Sequence, residues 1–172
     1  MLGANAPETA HRPMSAPESA PKPLERAPPH GRHAGRVTEY PVRVMFSDCD
    51  PAGIVFFANF SRWMDASSLD FFMQCGVPPW HELERRQGIV GTPLLEIQVR
   101  FLRPATYGES LRVLTRVAEW REKVFIQHHR VVRGDDLLCE GTETRAFCVR
   151  DPADPKRLRA VPVPEFVRVA CA

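Results

Sequence analysis

Two aspartates stand directly before an apolar run in the segment FSDCDPAGIVFFANF, residues 46–60. Asp48 and Asp50 flank a cysteine, and residues 52–58 after them carry no charge. An aspartate before a proline often begins a turn, because its side chain accepts hydrogen bonds from nearby backbone N–H groups. A carboxylate beside a water-excluding apolar wall can instead attack an acyl carbonyl or activate a water molecule. The residues alone leave both interpretations open, and for Asp48 a supporting role in the loop is favoured.

A helix is predicted immediately after this run, with Asn59 as its N-cap and Gly76 as the first residue beyond its end. Its N-terminus would offer unpaired N–H donors and the positive end of the helix dipole. A developing oxyanion beside Asp50 could be stabilised there. The apolar or small residues that share one broad face at helical spacing are Phe60, Trp63, Met64, Ser67, Phe71 and Cys75. The helix is therefore expected to pack that face against a sheet.

The sequence around this helix has the pattern of β-strands. VTEYPVRVMF precedes the helix, and a short second helix is predicted in PPWHELERRQG. Four long strands are predicted after it, in TPLLEIQVRFLRPA, SLRVLTRVAEWR, KVFIQHHRVVRG and LLCEGTETRAFCVR. In the first of these, Leu95, Ile97, Val99 and Phe101 alternate as in a half-buried strand. One strand, a long helix and four strands indicate the α+β class, with an antiparallel sheet curled around the helix.

Composition and missing motifs argue against several classes of function. The net charge is only +2, which indicates neither nucleic acid nor an acidic membrane as a partner. There is no GxSxG, HExxH, GxGxxG or P-loop, so no elbow serine, no metal site and no cofactor is expected. No apolar run approaches the ~20 residues of a membrane helix. The five scattered cysteines favour reduced thiols in a cytoplasmic protein, and His128 and His129 are expected to have structural or surface roles.

The N-terminal segment, residues 1–36, differs from the rest of the chain. It holds seven of the 17 prolines and no aromatic residue, so it cannot bury enough apolar surface to offset the entropy of ordering it. We expect a disordered tail here and a single folded domain at 37–172. An upstream start codon, with Met14 as an alternative start, is a second interpretation, and a transit peptide is a weaker one. No apolar stretch typical of a secretory signal is seen.

Three segments resemble the 4-hydroxybenzoyl-CoA thioesterase family of hotdog-fold proteins: FSDCDPAGIVFFANFSRWMDASS, CGVPPW and GIVGTPLLE. The similarity runs from about Tyr40 to about Pro164. The resemblance implies a hotdog fold, in which the antiparallel sheet wraps around the long helix. It also implies dimers or tetramers with the active site at a subunit interface. Many relatives carry His or Tyr within the apolar run, where this chain has Phe56 and Phe57.

The resemblance also implies roles for individual residues. Asp50 would be the nucleophile or general base, and the backbone N–H of Phe57 would donate to the oxyanion. Asp65 would reach the far end of the acyl pocket and meet a ring hydroxyl, and Thr92 of the G-T-P segment would bind substrate. The basic residues that would bind CoA at the surface are Arg121, Lys123, Arg157 and Arg159.

The function expected from these observations is hydrolysis of an aromatic acyl-CoA, of the benzoyl or hydroxybenzoyl type, to the free acid and CoA. The alternative is a non-catalytic or carrier-linked hotdog protein that binds an acyl thioester of CoA or of acyl carrier protein. The presence of Asp50 favours the enzyme, because a binding protein has no need of a carboxylate beside the thioester.

Overall fold

The structure, a computed structural model, describes residues 35–172. The α-helices are α1 (Ala58–Gln74), α2 (Trp80–Gln87) and α3 (Glu165–Ala170). The strands are β1 (Thr38–Arg43), β2 (Ile89–Gly91), β3 (Leu94–Phe101), β4 (Ser110–Trp120), β5 (Val124–Arg133), β6 (Asp136–Ala146), β7 (Cys148–Arg150) and β8 (Leu158–Ala160). The predicted tail lies outside the described residues, apart from Gly35 and Arg36. None of the helices among residues 35–172 has the length and hydrophobicity of a membrane-spanning segment.

An antiparallel sheet curves around α1. Its five strands have the order β1-β4-β5-β6-β3, and β2, β7 and β8 form a smaller sheet. Buried side chains alternate along β4, β5 and β6, so one face of these strands points toward the helix. The predicted α+β class and hotdog arrangement are confirmed, as are the four long strands.

The helix approaches the sheet closely. Ser67, Phe71 and Met64 are fully buried on the predicted face of α1. A Cβ atom at Gly141 in β6 would lie 2.9 Å from the Met64 sulfur and 2.9 Å from the carbonyl oxygen of Gln98. Glycine at this position is therefore what allows the helix to sit against the centre of the sheet.

The N-terminus of α1 differs from the prediction. Asn59 is not the N-cap, because the helix begins at Ala58, two residues earlier than predicted, and Phe57 occupies the capping position. The Asn59 side chain points back instead and donates to the carbonyl oxygen of Asp48 over 2.9 Å. At the other end, Gly76 has a positive φ of 84°, as expected for the residue that follows a helix.

Three of the side chains predicted to alternate in β3 pair with core-facing residues of β6, but Leu95 and Phe101 are more exposed than predicted. Ile97, Val99 and Phe101 pair with Glu143, Gly141 and Cys139, which face the helix. A register shift between Leu94 and Glu96 interrupts the pattern at Leu95. Leu95 is 60% exposed and Phe101 is 48% exposed. The physical reason is that β3 is an edge strand, and α1 lies mainly against β1 and β4.

Candidate active site

A tight turn holds Asp50 between the first strand and the long helix. The Asp50 N–H donates to the Ile54 carbonyl over 2.9 Å, and the Gly53 N–H donates to the Asp50 carbonyl over 2.9 Å. One carboxylate oxygen, Oδ1, accepts the Ala52 N–H at 2.8 Å. Gly53 has a φ of 77°, which closes the turn without the strain another residue would meet. The turn leaves the second carboxylate oxygen of Asp50 without a hydrogen bond to any described residue.

Asp48 forms hydrogen bonds with both ends of this loop. Its Oδ2 accepts the Met45 N–H over 2.8 Å, which closes the short 3-10 turn at residues 46–48. Its carbonyl oxygen accepts the Phe56 N–H at 2.8 Å as well as the Asn59 amide. The side chain of Asp48 thus serves the turn, while its backbone joins the start of the loop to the start of α1.

The backbone N–H of Phe57 is available at the N-terminus of α1. Nearby, the N–H groups of Phe56, Asn59 and Phe60 have backbone acceptors. No acceptor for the Phe57 N–H exists among residues 35–172. An unpaired donor at the positive end of a helix dipole can stabilise a negatively charged oxygen.

The apolar run is less buried than its composition suggests. Only Val55 is buried, whereas Ile54 and Phe56 are partly exposed and Phe57 is 61% exposed. The Phe57 ring packs edge-on against Phe101 of β3 with centroids 6.3 Å apart. Most of this run therefore does not lie in the core of a single chain. Together with Phe101, these side chains leave an uncovered apolar surface beside the Asp50 loop.

A cavity of about 400 Å³ brings together Asp65 and Thr92, two of the residues implied by the resemblance. Trp80, Leu69 and Val90 supply apolar walls. The side chain of Asp65 is 67% exposed, which agrees with its position on the flank of α1. The Thr92 hydroxyl has no hydrogen bond within the described residues. The cavity therefore combines apolar walls with oxygens of Asp65 and Thr92 that can form further hydrogen bonds.

The Asp50 loop and this cavity are separate features of one chain. Phe57, Phe60 and Phe101 line a second cavity of about 400 Å³, and no residue lines both. Asp50 lines neither cavity. A single subunit therefore does not bring the predicted catalytic and acyl-binding residues around one pocket.

The four predicted CoA-binding residues lie on two neighbouring segments. Arg121 and Lys123 belong to the tight turn between β4 and β5, and Arg157 and Arg159 lie in or just before β8. The Val163 N–H donates to the Glu122 carbonyl over 2.8 Å, which joins the turn to the chain that follows β8. All four basic side chains are exposed. Leu158, between the two C-terminal arginines, lines the Asp65 cavity.

Arg121 differs from the other three because it already has an anionic partner. Its Nε donates to Glu119 Oε1 over 2.8 Å and its Nη2 to Oε2 over 3.3 Å. This bond to Glu119 raises the pKa of Arg121, so the guanidinium stays charged. Lys123, Arg157 and Arg159 have no side-chain ion pair among residues 35–172, which leaves them freer to meet a phosphate.

Known proteins with similar sequences identify the family. The sequence profile of the thioesterase-like superfamily matches residues 44–171. A 4-hydroxybenzoyl-CoA thioesterase from Pseudomonas sp. (strain CBS-3) is 44% identical over 127 residues, which are 71% of this chain and 88% of that protein. The chain belongs to the thioesterase-like superfamily. It is a thioester hydrolase that acts on acyl-CoA, and the predicted relationship to 4-hydroxybenzoyl-CoA thioesterases is confirmed.

Solved structures agree with this assignment. A mutant 4-hydroxybenzoyl CoA thioesterase complexed with 4-hydroxybenzoyl CoA has a TM-score of 0.74 and 39% identity, covering 80% of this chain and 99% of its own. A gentisyl-coenzyme A thioesterase has a TM-score of 0.67 and 31% identity, covering 78% of this chain and 100% of its own. This thioesterase therefore shares both its fold and much of its sequence with enzymes named for aromatic acyl-CoAs.

Sequence reasoning missed one charged residue of the Asp65 cavity in this thioesterase. Arg145 lines the cavity, yet its side chain is only 7% exposed. A signal for it was present in the segment GTETRAF, where Glu143 and Arg145 occupy the alternate positions that face the core. A charged side chain at such a position is costly unless it is paired, so the pattern itself indicates a buried ion pair.

Proposed function

We propose that this thioesterase hydrolyses aromatic acyl-CoAs whose ring carries a hydroxyl group, releasing the free acid and CoA. The observation that carries the proposal is the Asp50 turn, which holds a carboxylate just before the unpaired N–H of Phe57. A reactive carboxylate and an oxyanion donor are the two groups that acyl transfer requires. The names of the two similar enzymes described above point to the same substrate class.

Asp50 would act on the thioester carbonyl in one of two ways. As a nucleophile it would form an acyl-aspartyl anhydride, which water then cleaves. As a general base it would take a proton from a water molecule that attacks the same carbon. In both cases the carbonyl oxygen gains negative charge that the Phe57 N–H would stabilise, and the C–S bond breaks to release CoA. Asp48, engaged with Met45, would hold the loop in place.

The Asp65 cavity would take the ring of the acyl group. Trp80, Leu69 and Val90 offer apolar contacts to the ring, and Asp65 and Thr92 offer oxygens to a ring hydroxyl. A cavity with hydrogen-bonding groups at one point discriminates against a ligand that lacks the matching group there, because the protein groups are left unpaired.

The exposed basic residues would hold the nucleotide end of CoA. Phosphates bind to Arg and Lys through charge-assisted hydrogen bonds. Lys123, Arg157 and Arg159 are the stronger candidates, because Arg121 is already paired with Glu119. Arg157 and Arg159 flank Leu158, which lines the Asp65 cavity.

Release of free thiol from a panel of thioesters tests the proposal. We expect hydroxybenzoyl-CoA to be hydrolysed faster than benzoyl-CoA, and both faster than octanoyl-CoA. A hydroxybenzoyl thioester of N-acetylcysteamine lacks the nucleotide, and its KM should be about tenfold higher or more if basic residues bind the phosphates. Preference for an acyl carrier protein thioester over every CoA thioester would favour the carrier-linked alternative. Preference for octanoyl-CoA would overturn the aromatic assignment.

We also propose that two subunits form each complete site. Leu95 and Phe101 of β3 and the rings of Phe56 and Phe57 stay exposed within residues 35–172, at one edge of the large sheet. An exposed apolar edge strand tends to aggregate or to pair with another chain, so it is usually covered. A second copy packed there would bury Phe101 and bring its own residues next to the Asp50 loop.

Light scattering is expected to give the mass of a dimer or tetramer. Phe101→Lys should shift the mass toward the monomer, because a charge would have to be buried at the interface. Val169→Lys is the matched control, since Val169 is exposed on α3 and should leave the mass unchanged. A fully active wild-type monomer would contradict the two-subunit site.

A further inference from the structure

A layer of buried polar side chains crosses the interior beneath α1. It separates two apolar clusters, one around Phe71 and Phe125 and the other around Met64 and Val113. The polar side chains of the layer are those of Ser67, Ser68, Thr115, Gln127, His129, Glu143 and Arg145. Apolar residues could fill this space at lower cost, because a buried polar group must find partners to offset its desolvation. We therefore expect this layer to have a role other than packing.

Five of these side chains form a chain of contacts that ends at a cation. Ser67 Oγ lies 2.6 Å from Thr115 Oγ1, which lies 2.8 Å from His129 Nδ1. His129 Nε2 lies 3.4 Å from Glu143 Oε2, without hydrogen-bond geometry. The same Glu143 oxygen accepts the Nε–H of Arg145 at 2.8 Å. Burial opposes ionisation of Glu143, yet His129 and Arg145 outweigh it and lower its pKa, so the carboxylate is charged.

Each of the three nitrogens of Arg145 has a different acceptor. Nε donates to Glu143 inside the protein, and Nη1 donates to the backbone carbonyl of Thr92 at 3.1 Å. Nη2 donates to Asp65 Oδ1 at 2.5 Å. Burial would lower the pKa of Arg145, but Glu143 and Asp65 reverse this effect and raise it. One guanidinium therefore connects the buried layer to two residues of the acyl cavity.

We infer that Arg145 is a positioning residue that sets acyl-group selectivity through Asp65; this inference rests on the proposed function. Its Nη2 occupies one carboxylate oxygen of Asp65 and leaves the other to accept a hydrogen bond. Its Nη1 fixes the backbone of Thr92 and thereby the position of the Thr92 hydroxyl. The chemical class selected is an aromatic acyl thioester with a hydrogen-bond donor on the ring, which meets the free oxygen of an oriented carboxylate.

Arg145→Lys tests this role while keeping the positive charge. A lysine ammonium is one nitrogen on a flexible stem and cannot reach Glu143, Thr92 and Asp65 at once. We expect the ratio of kcat/KM for hydroxybenzoyl-CoA to that for benzoyl-CoA to fall about tenfold, the scale of one charge-assisted hydrogen bond. Because both substrates are measured on the same sample, the fraction of folded enzyme cancels from this ratio.

Arg112→Lys is the matched control. Arg112 also lies in the large sheet and binds a carboxylate and a backbone carbonyl, those of Glu39 and Gly134, but it is far more exposed than Arg145. Its substitution should leave the ratio unchanged. In the background of Asp65→Asn, Arg145→Lys should cause little further change, because two residues that act through one contact are not additive. If Arg145→Lys does not fold, Arg145→Met with Glu143→Gln removes the buried pair together and gives the same ratio test.

The measurements distinguish failure of the Arg145 inference from failure of the proposed function. If wild-type enzyme hydrolyses aromatic acyl-CoAs selectively, and Arg145→Lys slows both substrates equally, Arg145 only supports the fold and the inference is wrong. Additive effects of the Asp65 and Arg145 substitutions would also overturn it. If wild-type enzyme releases no CoA from any aromatic thioester, the proposed function itself fails.

Discussion

Asp50→Asn is expected to lower kcat for hydroxybenzoyl-CoA by about 10²–10⁴-fold, with little change in KM. The asparagine side chain has the same shape, and its amide oxygen can still accept the Ala52 N–H that closes the turn. The substitution therefore removes the negative charge and the reactive oxygen while the loop keeps its geometry. Steady-state thiol release on hydroxybenzoyl-CoA measures the effect, and an unchanged melting temperature shows that the fold is retained.

Asp48→Asn is the matched control for this prediction. Its side-chain oxygen accepts the Met45 N–H, a bond that an amide oxygen can also accept. The contacts of Asp48 with Phe56 and Asn59 use its backbone carbonyl and do not depend on the side chain. We expect a loss in kcat of less than about tenfold for this variant. Small and equal effects at both positions would refute the assignment of Asp50 as the reactive carboxylate.

Local features of this fold were predictable because local sequence determines them. The helical spacing of apolar and small residues indicated the buried face of α1, and the long β-rich segments indicated the four long strands. Gly76 marked the end of α1 because glycine adopts a positive φ without strain. The first residue of α1 was harder to predict, because Asn59 has the composition of an N-cap but uses its amide to bind Asp48.

Burial was predicted less well where it depends on more than one chain. Residues 52–58 and β3 have the composition of core segments, yet Phe57 and Phe101 are largely exposed in the single subunit. A sequence pattern indicates that a side chain leaves water, but not whether the same chain or a second one covers it. The two-subunit site proposed here would account for this difference, since the uncovered side chains surround the Asp50 loop.

The contact between Arg145 and Asp65 could not be predicted from spacing. The two residues are 80 positions apart, and their meeting depends on how α1 lies across the sheet. Alternation in β6 indicates only that Glu143 and Arg145 point inward. Which carboxylates and carbonyls they reach is a property of the assembled fold. The site residues near Asp50 are different, because they lie within one short segment whose turns are encoded locally.

Asp65→Ala is expected to lower the preference for hydroxybenzoyl-CoA over benzoyl-CoA by about 10–100-fold, the range of one hydrogen bond to a charged group. The substitution removes the carboxylate that we propose meets the ring hydroxyl. Turnover of benzoyl-CoA should stay the same or improve. An unsubstituted ring removes water from the carboxylate but forms no hydrogen bond to it. The ratio of kcat/KM for the two substrates measures the effect.

Asp70→Ala is the control for this prediction, because Asp70 is a second carboxylate of α1 that binds Gln74 and does not line the acyl cavity. It should leave the ratio unchanged. Arg145 keeps Glu143 and the Thr92 carbonyl as partners in Asp65→Ala, so the cavity wall should survive and the protein should still fold. If Asp65→Ala lowers kcat/KM equally for both aromatic substrates, Asp65 supports the site but does not recognise the ring hydroxyl. A normal ratio in Asp70→Ala and a collapsed ratio in Asp65→Ala would assign the selectivity to the one carboxylate that Arg145 holds.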